Sequence, residues 1–159
     1  MKRRAFTLIE LIIVLAIISI SFVVLVFRFS VIDNIGAQNE VKTFLNDYSY
    51  ARDMALSSGL TQRIKFEDGG YKIECSVSSD DLEKKVHIKR KLKYVEYLKV
   101  SENKNLKNNF LEIEFQETGY VYVNSWKYDF RLDFVSKKDL QKKWTFTIQA
   151  VGGYIYENK

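Results

Sequence analysis

Proline is absent from this chain of 159 residues. No Pro-rich linker separates its parts, and no helix in it carries a proline kink. A single cysteine, Cys75, rules out an internal disulfide. The fold must therefore be held by packing alone, whereas many small exported domains are stapled. One histidine, His87, is present, and no HExxH, CxxC, P-loop or GxSxG spacing occurs. Asp80, Asp81 and Glu83 are acidic neighbours without the oxygen-ligand spacing of an EF-hand, and they read as a solvated loop. Catalysis, a metal site and a cofactor are accordingly not expected. Glycine is sparse, at seven residues, and no internal repeat or low-complexity tract is evident.

What is present is concentrated at the N-terminus. Lys2, Arg3 and Arg4 precede a long apolar run in which, from 11 to 27, only Ser19 and Ser21 are polar. As a helix, 6–27 would span about 33 Å, enough for the hydrocarbon core of a bilayer. The basic stub stays cytoplasmic by the positive-inside tendency, which puts the C-terminal bulk outside. No A-x-A-like site follows the run, so an ordinary secretory signal does not fit. Glu10, five residues into the run, is the anomaly: a charge in a membrane segment is costly, on a scale that reaches roughly 2.5–3.5 kcal/mol at mid-bilayer.

The stretch Arg3-Arg4-Ala5-Phe6-Thr7-Leu8-Ile9-Glu10-Leu11 resembles the type III signal sequence of type IV pilins and pseudopilins. The resemblance covers about 25 residues. It implies that a membrane prepilin peptidase cuts between Ala5 and Phe6 and methylates the new amine of Phe6. Ala5 departs from the glycine usual before the cut, but it is still small. The resemblance also implies assembly with other major or minor pilins or pseudopilins, through an inner-membrane assembly platform. Glu10 would then pair with the Phe6 amine of a neighbouring subunit, offsetting two desolvation costs and fixing register. Self-pairing within one chain is the alternative. A plain single-pass anchor outside any filament explains the hydrophobicity but not Glu10.

Beyond the membrane run, Val41, Phe44, Leu45, Tyr48, Ala51 and Ala55 recur at helical spacing, with Glu40, Lys42, Asn46, Asp47 and Asp53 mostly elsewhere. Ser57-Ser58-Gly59 is a stop signal. The pattern predicts helix from about 6 to 58, loosened near Asp33-Asn34-Ile35-Gly36. From Gln62 the period becomes two. Ile64 and Phe66, Asp68-Gly69-Gly70, then Tyr71, Ile73, Cys75 and Val77 read as a hairpin. A polar loop, 78–81, follows. Val86, Ile88, Leu92 and Tyr94 suggest one strand continuing toward Val100 with a bulge near Val95, and 103–109 reads as loop. Leu111, Ile113 and Phe115 lead through Gly119 to a strand over 120–123. Tyr128 to Phe134, Trp144 to Ile148 and 154–156 complete seven or eight strands.

The fold class is α+β: a long N-terminal helix, transmembrane in its first half and amphipathic in its second, packed on an antiparallel β-sheet head. The expected boundaries are a leader at 1–5, the transmembrane or filament-core helix at 6–28, its amphipathic continuation at 29–58 and the head at 59–159. Ala51-Arg52, Ala55, Gly59 and, more loosely, Gly119 and Gly152-Gly153 resemble the GspH/FimT group of minor pilins. That resemblance implies a head of two antiparallel sheets, low abundance and a place at or near the filament tip. The expected location is the plasma (inner) membrane, with the head outside the cytoplasm and, after assembly, at the cell surface.

Removing Lys2, Arg3 and Arg4 would lower the formal charge from +5 to +2, so any nucleic-acid argument must be local. Six of the ten residues 84–93 are basic. Alternation puts Lys85, Lys89, Lys91 and Lys93 on one face with His87, opposite Val86, Ile88 and Leu92. Such a row could neutralise DNA phosphates, but blunting an exposed sheet edge or contacting a neighbouring subunit is the favoured reading. Lys137, Lys138, Lys142 and Lys143 form a second cluster. Cys75, in an alternating apolar segment, reads as a buried thiol. Tyr48 and Tyr50 beside Arg52 fit either packing or a subunit contact.

Overall fold

The computed structural model describes residues 7–67, 69–76, 84–100 and 111–158. Ala5, Phe6, Val77, the 78–81 loop with Asp80 and Asp81, Glu83 and the 103–109 loop lie outside the described residues. Among the described residues the chain forms one helix, α1 (Leu8–Ser58), followed by nine strands. These are β1 (Gln62–Glu67), β2 (Gly70–Ser76), β3 (Lys84–Lys91), β4 (Val95–Val100), β5 (Leu111–Phe115), β6 (Val121–Val123), β7 (Phe130–Ser136), β8 (Lys143–Ile148) and β9 (Ile155–Asn158). All pairings are antiparallel, and the strands make two sheets ordered β3-β2-β1-β5-β6 and β4-β7-β8-β9. The α+β expectation of a helix on antiparallel sheet holds.

Helix α1 runs without a break through Asp33–Gly36, where loosening was expected. Gly36 serves close packing instead: a methyl group there would lie 2.7 Å from the Tyr94 ring. The helix stops where Gly59 takes the left-handed conformation (φ 68°) and returns its N–H to Ala55. The side chains of 7–23 are exposed. Among the described residues no helix is long and apolar enough to cross a membrane, so the span expected over 6–28 rests on the amino-acid pattern.

The second half of α1 supplies one wall of the core. Ala37, Val41, Phe44, Tyr48, Ala51 and Ala55 are buried, at steps of four and three, and Leu45 is partly so. Phe44 is the hub: its ring centroid lies 5.6 Å from Phe66 of β1, 5.4 Å from Tyr71 of β2 and 4.9 Å from Phe134 of β7. The first two belong to one sheet and the third to the other. Phe66 joins the sheets directly through Tyr97 of β4, at 4.5 Å. Cys75 is buried and free, its sulfur accepting from Gln62 Nε2 at 2.9 Å.

Two expectations need correction. The single strand expected through 86–100 is two strands in different sheets, broken at 92–94. The irregularity expected near Val95 lies earlier, where Ile73 pairs with Ile88 but Glu74 pairs with Val86, leaving His87 as the extra residue. Alternation alone cannot mark a change of sheet when Leu92 and Val95, on either side of it, are both buried.

Truncating Phe44 should leave a cavity touching both sheets. Phe44→Ala is expected to lower the unfolding free energy by about 3–5 kcal/mol, with Leu45→Ala costing clearly less. Denaturant unfolding of the detergent-extracted chain checks both.

Candidate functional site

Thr7 opens α1 with extended backbone (φ −81°, ψ 150°) and forms a capping box with Glu10. Thr7 N–H and Oγ1 donate to Glu10 Oε2 at 2.9 and 3.0 Å, and Glu10 N–H returns to Thr7 Oγ1 at 3.4 Å. Within the chain Glu10 is thus partnered by Thr7, while the expected pairing with a Phe6 amine, of the same chain or of a neighbour, involves a residue outside the described ones. The signal was in the sequence: Thr-x-x-Glu before an apolar run is the capping-box signature. Ala5 and Phe6, the expected cleavage and methylation positions, lie outside the described residues.

The head is laid along the other half of the helix, and the contacts climb in order. Asp33 pairs with Lys138, and Asn34 Oδ1 accepts from Lys142 Nζ at 3.1 Å, both from the turn between β7 and β8. The Glu40 carboxylate accepts three consecutive backbone N–H groups: Lys93 at 2.8 Å, Tyr94 at 2.8 Å and Val95 at 3.0 Å. This is the point where the chain leaves one sheet for the other. Asp47, expected on the polar face, is buried, accepting from Tyr71 Oη at 2.8 Å and from Arg90 Nε and Nη2 at 2.9 and 3.2 Å. Burial, with the Asp47 carboxylate second, pushes the Tyr71 phenol well above its ordinary range. Tyr48 Oη donates to Gly153 O at 3.1 Å and Arg52 Nε to Gly152 O at 2.6 Å. The Arg52 guanidinium also sits 4.3 Å from the Tyr154 ring centroid. Tyr48 therefore packs in the core, while Tyr50 is exposed.

The basic row does not share one face. Register puts Lys89 opposite Lys72 and Lys91 opposite Gly70, but beyond the His87 bulge Lys85 falls opposite Cys75, on the other face. Val86 takes the outer position and is 49% exposed. Lys93 lies in the crossover, not in β3, with its ammonium 5.0 Å from the Tyr94 ring. Arg90 is committed to Asp47. His87 is exposed, as expected. β3 is the edge of its sheet. Next to it the outer face is a charge lattice: Arg63–Glu114 at 2.8 Å, Lys65–Glu74 at 3.2 Å, Lys72–Glu74 at 3.0 Å and Lys72–Glu67 at 2.5 Å. Burial would raise the Glu74 carboxyl, but hydrogen bonds from Lys72 and Lys65 override it and hold it below 4.5. The second lysine cluster is engaged too. Lys137 Nζ donates to Leu92 O at 2.6 Å, and Lys143 lies 2.5 Å from the buried Asp133 carboxylate.

Comparison with known families matches residues 1–26 to the prokaryotic N-terminal methylation motif, the type IV prepilin signal. The chain is pilin-like in that segment. A signal of this kind implies processing by prepilin peptidase, membrane anchoring and assembly with other pilins. No curated protein and no solved structure shows a significant match to the chain.

Glu40→Ala strands three N–H groups and should cost about 2–3 kcal/mol, while Glu40→Gln, which keeps one acceptor oxygen, should cost less; chemical denaturation separates them. Glu74 has its folded pKa below the ordinary 4.5. Its stabilisation is therefore complete above that value and disappears as pH falls through the folded value. The stability gap between the natural chain and Glu74→Gln should accordingly close on acidification below pH 4.5, and thermal melts across pH 3–7 read it.

Proposed function

We propose that this chain is a minor pilin or pseudopilin precursor. It is cut between Ala5 and Phe6, methylated on Phe6, drawn from the membrane and built into a type IV pilus, secretion-like or DNA-uptake filament at or near its tip. The observation that carries the reading is the methylation motif over 1–26 running directly into one 51-residue helix that bears a β-sheet head. The role is structural, without catalysis or cofactor. Its partners are prepilin peptidase, neighbouring pilins or pseudopilins, the inner-membrane assembly platform and membrane lipid. The apolar segment 6–28 anchors the chain in the plasma membrane with the head outside.

The GspH/FimT reading draws support from one arrangement. Arg52, next to the buried Ala51, reaches the carbonyl of Gly152, so two separated parts of that resemblance meet in one contact. The position of β3 at a sheet edge favours the edge-blunting role of its lysines. A DNA-binding tip subunit is the second reading, carried by Lys89 and Lys91 on the outer face, with Lys85 and Lys93 nearby. An anchored protein outside any filament is the third.

Mass spectrometry of the membrane-extracted chain is expected to find a mature N-terminus at N-methyl-Phe6; an intact Met1 in cells with active prepilin peptidase would reject the reading. Glu10→Ala should abolish incorporation into filaments, and unchanged incorporation would favour the free anchored protein. Glutamine at Lys85, Lys89 and Lys91 should leave DNA retention and assembly unchanged. Loss of retention with filaments intact would instead establish the DNA-binding reading.

A further inference from the structure

We propose that the β7–β8 turn, residues 137–142, seats on the lipid headgroup layer, with Leu140 entering the layer and Lys138 and Lys142 meeting its phosphates. This rests on the reading of 6–28 as a membrane span. Helix α1 is continuous from there into the head, so its rise of about 1.5 Å per residue is a ruler. Asp33 lies five residues past Arg28, about 7.5 Å above the end of the span. The headgroup layer on one side of a bilayer is about 5–8 Å thick. The turn grips the helix at Asp33 and Asn34, which puts it at the outer boundary of that layer.

The chemistry of the turn suits that height. Leu140 is 78% exposed, and Ile35, on the helix beside Asn34, is 53% exposed. Lys138 keeps its side chain 70% exposed while bound to Asp33. The turn is held rigidly: Asp139 N–H donates to Ser136 Oγ at 3.3 Å, Lys142 N–H to Asp139 O at 2.9 Å and Ser136 N–H to Lys142 O at 3.0 Å. An apolar tip between cations is the pattern that settles at a membrane interface, with the leucine at the acyl boundary and the ammonium groups among phosphates. The opposite end of the head exposes Val151 and Tyr154 at the level of Arg52. Nineteen residues of helix separate Asp33 from Arg52, about 28 Å. That end stands clear of the bilayer and serves as a control.

The test uses the full chain in vesicles of two parts phosphatidylcholine to one part phosphatidylglycerol. In a Cys75→Ser background, single cysteines at Gln141, Val151 or Ile17 carry an environment-sensitive fluorophore, quenched by phospholipids brominated at shallow or deep acyl positions. Shallow quenching at 141 is expected to exceed that at 151 by about twofold or more, as for groups lying some 5–10 Å into the interface. Leu140→Asp should bring the 141 signal down to that of 151. Deep quenching at 17 with equal, weak quenching at 141 and 151 would overturn the seating of the turn and leave the membrane span standing. A label at 17 that deep bromines do not quench would overturn the span, and the seating with it. Strong quenching at 141 that survives Leu140→Asp would overturn the role given to Leu140.

Discussion

One carboxylate sets the architecture of the head. A chain that leaves one sheet and enters another must pass through residues whose N–H groups have no strand to pair with, and burying them unpaired is costly. Glu40 accepts three such groups in succession, from Lys93, Tyr94 and Val95. The crossover therefore takes place on the helix surface, with Leu92 and Val95 buried on either side and the Tyr94 ring against Gly36. Once that turn is held, β3 and β4 belong to different sheets, and Phe66, Tyr97 and Phe134 can meet between them.

The helix does more than lend an apolar stripe. Its polar residues complete backbone groups where strands end. Glu40 receives the crossover amides, while Tyr48 and Arg52 donate to the carbonyls of Gly153 and Gly152 in the last turn. Glycine is needed at 153, where φ is 61° and a methyl group would lie 2.7 Å from Val121 and 3.4 Å from Arg52 Cδ. Asp47 and Arg90 add a charge pair between those two points. Sliding the head by one residue along α1 would rotate every partner by about 100° and lift it by about 1.5 Å. Apolar contacts tolerate small slips; directional ones do not, so these four polar residues fix the register that the aromatic core alone would leave loose.

Much of this was legible in the amino-acid pattern. The buried stripe from Val41 to Ala55 follows from periodicity, and the hairpins around Gly69 and Gly119 from turn chemistry. What could not be read are contacts between distant residues. Glu40 and Asp47 look like ordinary exposed helix charges until the strands that meet them are in place. Gly36 signals a weak point locally, yet it is explained by Tyr94, 58 positions away in the chain. The His87 bulge erases a basic face that strict alternation implied, because one extra residue reverses every side chain beyond it. The Thr7–Glu10 box is the opposite case, a local contact between residues three apart whose spacing alone marks it in the sequence.

The Thr7–Glu10 box bears on how Glu10 acts under the proposed reading. A carboxylate in a membrane helix is most costly while unpartnered, and Thr7 supplies two donors from the same chain, so Glu10 has a resting state before any neighbour arrives. Those donors carry no net charge. A neighbouring ammonium adds a Coulomb attraction that strengthens as the surroundings lose water. Exchange of Thr7 for a charged partner is then favoured inside a packed bundle of helices and disfavoured for an isolated chain in lipid. The same two residues can thus hold the precursor stable alone and still reward assembly, a combination that a carboxylate with no local partner could not provide.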